Sequence, residues 1–154
     1  MKKLILTCAA VAAVLGLSFS VTAASADEQG AGLQIVGVDY NVKGVDTASN
    51  AYKEAVKVQN KSAASVSLAG CTLEDLTGHT YRFPAARTLA SGEYVYVRTG
   101  KSPSVDPANW WNTPVNLYWN RSSHQYGNSA DSVTLECSGS RLDRVAWNDF
   151  TIRP

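Results

Sequence analysis

Residues 68–100 read LAGCTLEDLTGHTYRFPAARTLASGEYVYVRTG. Three short apolar-alternating runs lie here, broken at Gly78, at Pro84 and at Ser91-Gly92, which is the punctuation of consecutive antiparallel strands. Cys71 and Leu73 share one parity and Thr72 and Glu74 the other, so Cys71 faces the core. Thr77-Gly78-His79 is a hairpin turn feeding Tyr81 and Phe83, and Pro84 ends that strand. In the last run Val95 and Val97 point inward, with Tyr94, Tyr96 and Arg98 on the outer face.

The same pattern extends in both directions. Upstream, Leu33 to Tyr40 is a first strand rich in Ile and Val, and Asn41 to Tyr52 is a long surface loop with Asp46 and Asn50 as turn residues. Val56 and Val58 then oppose Lys57 and Gln59, and Val66 and Leu68 resume the apolar face beyond Asn60-Lys61-Ser62. Downstream, Lys101 to Pro114 is a proline-interrupted loop carrying Trp110-Trp111. Leu117-Tyr118-Trp119 forms a short strand, and Arg121 to Ala130 is a polar turn. Val133, Leu135 and Cys137 alternate with Ser132, Thr134 and Glu136, Ser138-Gly139-Ser140 turns the chain, and Leu142, Val145 and Trp147 complete a last hairpin. About eight or nine short strands with turn signals at this spacing predict an all-β, two-sheet antiparallel sandwich.

The N-terminus has a separate logic. Met1-Lys2-Lys3 is a basic start, Leu4 to Leu17 an apolar run, and Ala24-Ser25-Ala26 a small-x-small cleavage site. These are the parts of a secretory signal peptide in their proper order, with cleavage after Ala26. The apolar run is shorter than the roughly 20 residues a bilayer span needs, and Cys8 lies inside it, so Cys8 leaves with the signal. The reading is therefore a signal peptide over 1–26, a flexible mature N-terminus over 27–32 and one domain over 33–154, secreted or held at the cell surface, with no transmembrane segment after cleavage.

Cleavage takes Lys plus Arg from 14 to 12 against 13 Asp plus Glu and moves the formal charge from +1 to −1. A near-neutral domain has no global field to collect phosphate backbones, which disfavours nucleic acid as a partner. Only Cys71 and Cys137 survive cleavage, both on predicted core faces in an exported chain, and a disulfide between them is expected. The alternative is two separately buried thiols. Asp39, Asp46 and Asp75 do not form a compact calcium loop, and no metal or other cofactor is expected.

The order Gly44-Val45-Asp46, Glu54 to Asn60, Val66 to Leu73, Gly78 to Pro84, Leu89 to Gly92, Val95 to Gly100, Leu117-Tyr118-Trp119 and Asp131 to Leu135 resembles the lamin-tail domain family, in particular its exported bacterial members. The resemblance runs from about Leu33 to Trp147 and implies an immunoglobulin-like β-sandwich and a non-catalytic module. Such domains accompany secreted or membrane-attached hydrolases and nucleases as tethers or interaction surfaces. Two departures stand out. Gly70-Cys71 replaces a common Gly-Trp, and Tyr126 stands where many members have Trp.

Three functions follow as expectations. The first is a binding module for a protein or an envelope or extracellular polymer. Its candidate surface is Trp110, Trp111, Tyr118, Trp119 and Tyr126, flanked by Arg121 and His124, because aromatics beside arginine anchor interfaces. Against it stands the high average burial of large aromatics. The second is a secreted hydrolase built on His79 with Asp75 or His124 with Asp131, without a nucleophile-elbow or zinc motif to support it. The third is a protease inhibitor or envelope structural protein presenting Ser102 to Pro114.

Overall fold

A computed structural model describes residues 31–103 and 113–148. The signal-peptide expectation, Cys8, Trp110 and Trp111 lie outside the described residues, as does most of the Ser102 to Pro114 loop. Ten strands are present among the described residues: β1 (Leu33–Asp39), β2 (Ala55–Asn60), β3 (Val66–Ser67), β4 (Cys71–Asp75), β5 (Thr80–Arg82), β6 (Thr88–Leu89), β7 (Tyr94–Arg98), β8 (Asn116–Tyr118), β9 (Ala130–Cys137) and β10 (Ser140–Asn148). The loop after β1 closes in a single 3-10 turn, Ala51–Lys53.

Two four-stranded sheets, β1-β2-β7-β8 and β10-β9-β4-β5, pack face to face, with β3 and β6 as a small third pair. The alternation read from the sequence is the packing rule of this sandwich. Val56, Val58, Val95 and Val97 from one sheet meet Leu73, Val133 and Leu135 from the other, and each is at most 1% exposed. At about 25 cal/mol per Å2 of apolar surface removed from water, this layer is the main favourable contribution to folding. Between β9 and β10 the chain turns on Ser138 and Gly139, at φ 51 and 82. Both dihedrals are left-handed, as a two-residue hairpin turn matched to strand twist requires.

The disulfide joins Cys71 to Cys137. The two residues are directly opposite one another in β4 and β9, so the bond staples neighbours within one sheet and both half-cystines belong to the core.

Two expectations need correction. Among the described strands the pairing is antiparallel except for β7 with β8, which run parallel, Val97 opposite Leu117. A parallel neighbour requires a crossover of a dozen or more residues, and the long proline-containing connection after β7 supplies it. Arg98, read as an outward strand residue, is 4% exposed. Its Nε donates to Asn116 Oδ1 at 2.6 Å and its Nη1 to the Tyr52 carbonyl at 3.1 Å. A guanidinium can be covered this way because its donors form a planar fork that fixed acceptors satisfy.

Candidate functional site

The chemistry gathers where three loops meet at one end of the sandwich. Glu54, immediately before β2, is fully buried. Its Oε2 accepts the Gln125 backbone N–H at 2.8 Å and its Oε1 that of Tyr126 at 3.1 Å. Burial pushes the Glu54 carboxyl up from its ordinary range, and these two N–H groups only partly oppose that rise. One buried carboxylate therefore holds the loop between β8 and β9 against the start of β2.

His124 adds a second tie. Its side chain is 7% exposed, with Nδ1 at 3.5 Å from Glu54 Oε1 and 3.7 Å from Asp46 Oδ1. Its Nε2 lies 2.9 Å from Asn50 Oδ1. Asn50 Nδ2 donates to the Val45 carbonyl at 3.0 Å, and Asn50 Oδ1 accepts the Thr47 N–H at 2.9 Å, which sets the amide orientation. Asp46, Thr47 and Ala48 on one loop and Ser122, Ser123 and His124 on the other line a cleft of about 280 Å3.

Two aspartates lace the remaining loop to this pair. Asp131 Oδ1 accepts the Leu76 N–H at 3.1 Å, and its Oδ2 accepts the Gly127 N–H at 2.8 Å. Asn128 Nδ2 donates to Asp46 Oδ2 at 3.0 Å, and Trp147 Nε1 donates to the Gly127 carbonyl at 2.7 Å. A side chain at Gly127 would put its Cβ 2.7 Å from the Ala130 carbonyl oxygen, so only glycine fits this crossing. Asp75 closes its own turn, accepting from Thr77 N and Oγ1 at 2.9 Å and from His79 N at 2.8 Å. At the rim of these tied loops Val45 is 82% exposed and Leu76 62%.

Trp110 and Trp111 lie outside the described residues, and the described members of the expected aromatic surface do not form one patch. Tyr126 is a core residue, 3% exposed, edge-on to the Trp147 ring at 6.1 Å. It plugs the end of the sandwich, so it offers no surface. His124 is covered by its loop contacts. Trp119 packs against the core with its ring edge-on to Tyr81 at 6.1 Å, and Arg121 lies 5.6 Å over the Trp119 ring. Tyr118 is on the other side of its strand from Leu117, level with Arg98. Of the five described members only Arg121 and Trp119 pair, while Tyr126 is in the core, His124 is covered and Tyr118 lies beside Arg98.

The hydrolase pairs fare differently. His79 and Asp75 do meet, Nδ1 to Oδ2 at 2.8 Å, but Thr77 Oγ1 also contacts Nδ1, at 2.8 Å. A catalytic imidazole bridges its carboxylate and its nucleophile through opposite nitrogens; here both contacts converge on one, which makes a turn and not a triad. His124 faces Glu54 and Asp46 instead of Asp131, whose oxygens are occupied by backbone N–H groups.

Sequence reading passed over Glu54, Val45 and Leu76. A buried carboxylate at the head of a strand has no sequence signature of its own, and the two rim residues are isolated apolar positions in turns. The Asp and Asn residues of the three loops were the available signal.

Fold and site together define an immunoglobulin-like sandwich with loops fixed at one end. The chain belongs to the lamin tail domain family, whose model matches residues 26–149. That family is one of non-catalytic, immunoglobulin-like interaction modules. No curated protein matches the sequence. Both departures from the family pattern are core positions: Cys71 is half of the disulfide and Tyr126 packs on Trp147. Among the described residues no helix is long and apolar enough to cross a membrane.

Proposed function

We propose that this lamin-tail module is exported and acts at the cell surface or in the medium as a non-catalytic binding module for a protein partner. The loop end is the binding face. The observation that carries the reading is the exposure of Val45 and Leu76 on loops held by the Asp46, Asp131 and Glu54 ties. Large apolar side chains on pre-ordered loops lose little conformational entropy when covered, so their burial goes into affinity. Export is supported by the basic, apolar and small-x-small order of residues 1–26 and agrees with a disulfide, which persists in oxidising compartments.

The test is retention of partners from the producing cell's envelope and medium fractions by the oxidised, secreted protein. Val45→Ser/Leu76→Ser and Trp110→Ala/Trp111→Ala variants run beside it. Loss with the first variant only supports the loop end, and loss with the second only moves the function to the tryptophan-bearing loop. N-terminal sequencing of the secreted protein is expected to begin at Asp27.

A further inference from the structure

We infer that the cleft between the loop after β1 and the loop before β9 receives a cationic side chain, a lysine or arginine of the protein partner, with Asp46 as its counter-ion. The inference rests on the loop end being the protein-binding face and adds what that face selects.

The cleft encloses about 280 Å3, below the roughly 300–1,000 Å3 of small-molecule sites, and suits one long side chain. Its lining carries the Asp46 carboxylate and the hydroxyls of Thr47, Ser122 and Ser123, with neither lysine nor arginine among them. Asp46 Oδ2 is occupied, accepting from Asn128 Nδ2 at 3.0 Å. Its Oδ1 accepts no hydrogen bond from the described residues, and the side chain is 37% exposed. Behind Asp46 the polar atoms are under-bonded as well. The His124 side chain, 7% exposed, turns Nδ1 to within 3.7 Å of Asp46 Oδ1 and 3.5 Å of Glu54 Oε1. That nitrogen has no hydrogen-bond partner among the described residues. A lysine or arginine head carries only N–H donors and no acceptor, so it complements this lining. Its apolar stem can lie along Ala48 while Val45, 82% exposed and next to Asp46 in the chain, takes a neighbouring apolar residue.

The charge of the surrounding fold favours the same occupant. No lysine or arginine among the described residues forms an ion pair with Asp46, Glu54, Asp75 or Asp131. Burial first, and then the charges of Glu54, Asp75 and Asp131, push the Tyr126 phenol up, so three carboxylates act on one end of the sandwich. Those three residues are 0%, 4% and 8% exposed, which leaves Asp46 as the member a ligand can reach. Low-dielectric walls focus a field of one sign toward such an opening and draw in a cation. A divalent metal is a poorer occupant, because it needs several oxygen ligands. Both Glu54 oxygens are held by the Gln125 and Tyr126 N–H groups, and those of Asp131 by Leu76 and Gly127.

The test titrates two acetylated, amidated tripeptides, Leu-Arg-Leu and its neutral counterpart Leu-citrulline-Leu, into the secreted, oxidised protein and follows the amide resonances. Leu-Arg-Leu is expected to shift the Thr47, Ala48, Ser122 and Ser123 amides saturably and to bind about tenfold more tightly than the citrulline peptide. Its affinity should fall as salt is raised. Asp46→Asn, which keeps an acceptor for Asn128, should weaken Leu-Arg-Leu by about tenfold. So should Ser122→Lys, which sets a cation of the chain's own beside Asp46 from an exposed position. Equal binding of the two peptides, shifts confined to other parts of the surface, or unchanged Leu-Arg-Leu binding by Asp46→Asn would overturn the inference. Its failure is separable from failure of the proposed function. A partner retained alike by the parent and by Asp46→Asn leaves the proposed function standing and overturns the cation site; charge-selective peptide binding with no partner retained supports the site and counts against the proposed function.

Discussion

The backbone N–H of Ile35 donates to Asp143 Oδ2 at 2.8 Å, although the two residues are 108 positions apart. Ile35 lies in β1, at the edge of one sheet, and Asp143 in β10, at the edge of the other. Register shifts occur beside both residues, between Ile35 and Gly37 and between Arg141 and Asp143. A bulge leaves strand N–H groups without a ladder partner and redirects a side chain. Here one bulge leaves the donor and the other brings the carboxylate, and the seam between the sheets is closed by that bond. Asp143→Ala is expected to lower stability by about 1–3 kcal/mol, the cost of a part-buried donor left unpaired. Asp143→Asn keeps an acceptor and should lose less. Urea unfolding of the three proteins checks the order.

The disulfide makes a larger and separable prediction. It closes a loop of 66 positions, and in the chain-entropy treatment such a closure stabilises by about 4 kcal/mol. Cys71→Ala/Cys137→Ala, or reduction of the parent, should shift the urea midpoint down by an amount of that order. Adding reductant should change the parent and leave the double variant unmoved. Two reactive thiols in the unfolded, unreduced parent would contradict the bond.

Acid stability is set in part by Asp75. Burial opposes its ionised form, but the His79 side chain and backbone and the Thr77 hydroxyl outweigh that and hold the carboxyl below its ordinary value of 3.8. A folded-state pKa below the unfolded one means that the unfolded chain binds the proton first as pH falls. The stabilisation is thus complete above the unfolded value and is lost as pH falls from near 4 through the lower folded value. Asp75→Asn should flatten this acid limb while lowering stability at neutral pH. Denaturation curves at intervals from pH 5 down to 2 measure it.

The legibility of this chain divides by the kind of force at work. Strand faces are a period-two property, so Val56, Val58, Val95, Val97, Leu73, Val133 and Leu135 could be placed from alternation alone, and Cys71 and Cys137 with them. The parallel β7–β8 pair could not, because strand direction is set by where a long connection returns and not by any residue in the strand. Arg98 failed for a related reason. Its outward parity was right, but burial depends on whether a neighbour supplies acceptors, and Asn116 and Tyr52 come from other elements. At the loop end, Asp46 and Asn50 were legible as turn formers. That Glu54 lies beneath them, taking two N–H groups from residues 71 and 72 positions away, is a tertiary fact. Tyr126 was not legible as core because it sits in polar, turn-like sequence yet plugs the sandwich end.

Tyr126 offers the test that separates plug from recognition surface. Its ring is edge-on to Trp147, which also stacks on Tyr40 at 4.4 Å, while its backbone N–H is held by Glu54. The phenol oxygen is buried without a hydrogen-bond partner among the described residues, and burial pushes its pKa well above the ordinary value of 10. A hydroxyl buried in this way costs desolvation and returns nothing. Tyr126→Phe is therefore expected to leave stability unchanged or to raise it by about 1 kcal/mol, because the ring packing is kept and the unpaired group is gone. Tyr126→Ala removes the ring and should cost about 3–5 kcal/mol, as large aromatic deletions in cores do. A recognition tyrosine behaves in the opposite way. It would tolerate alanine in the free protein and lose partner binding on loss of the hydroxyl. Unfolding of both variants, beside partner retention by Tyr126→Phe, distinguishes the two roles: a core plug gives a stable, binding-competent Phe variant and a severely destabilised Ala variant.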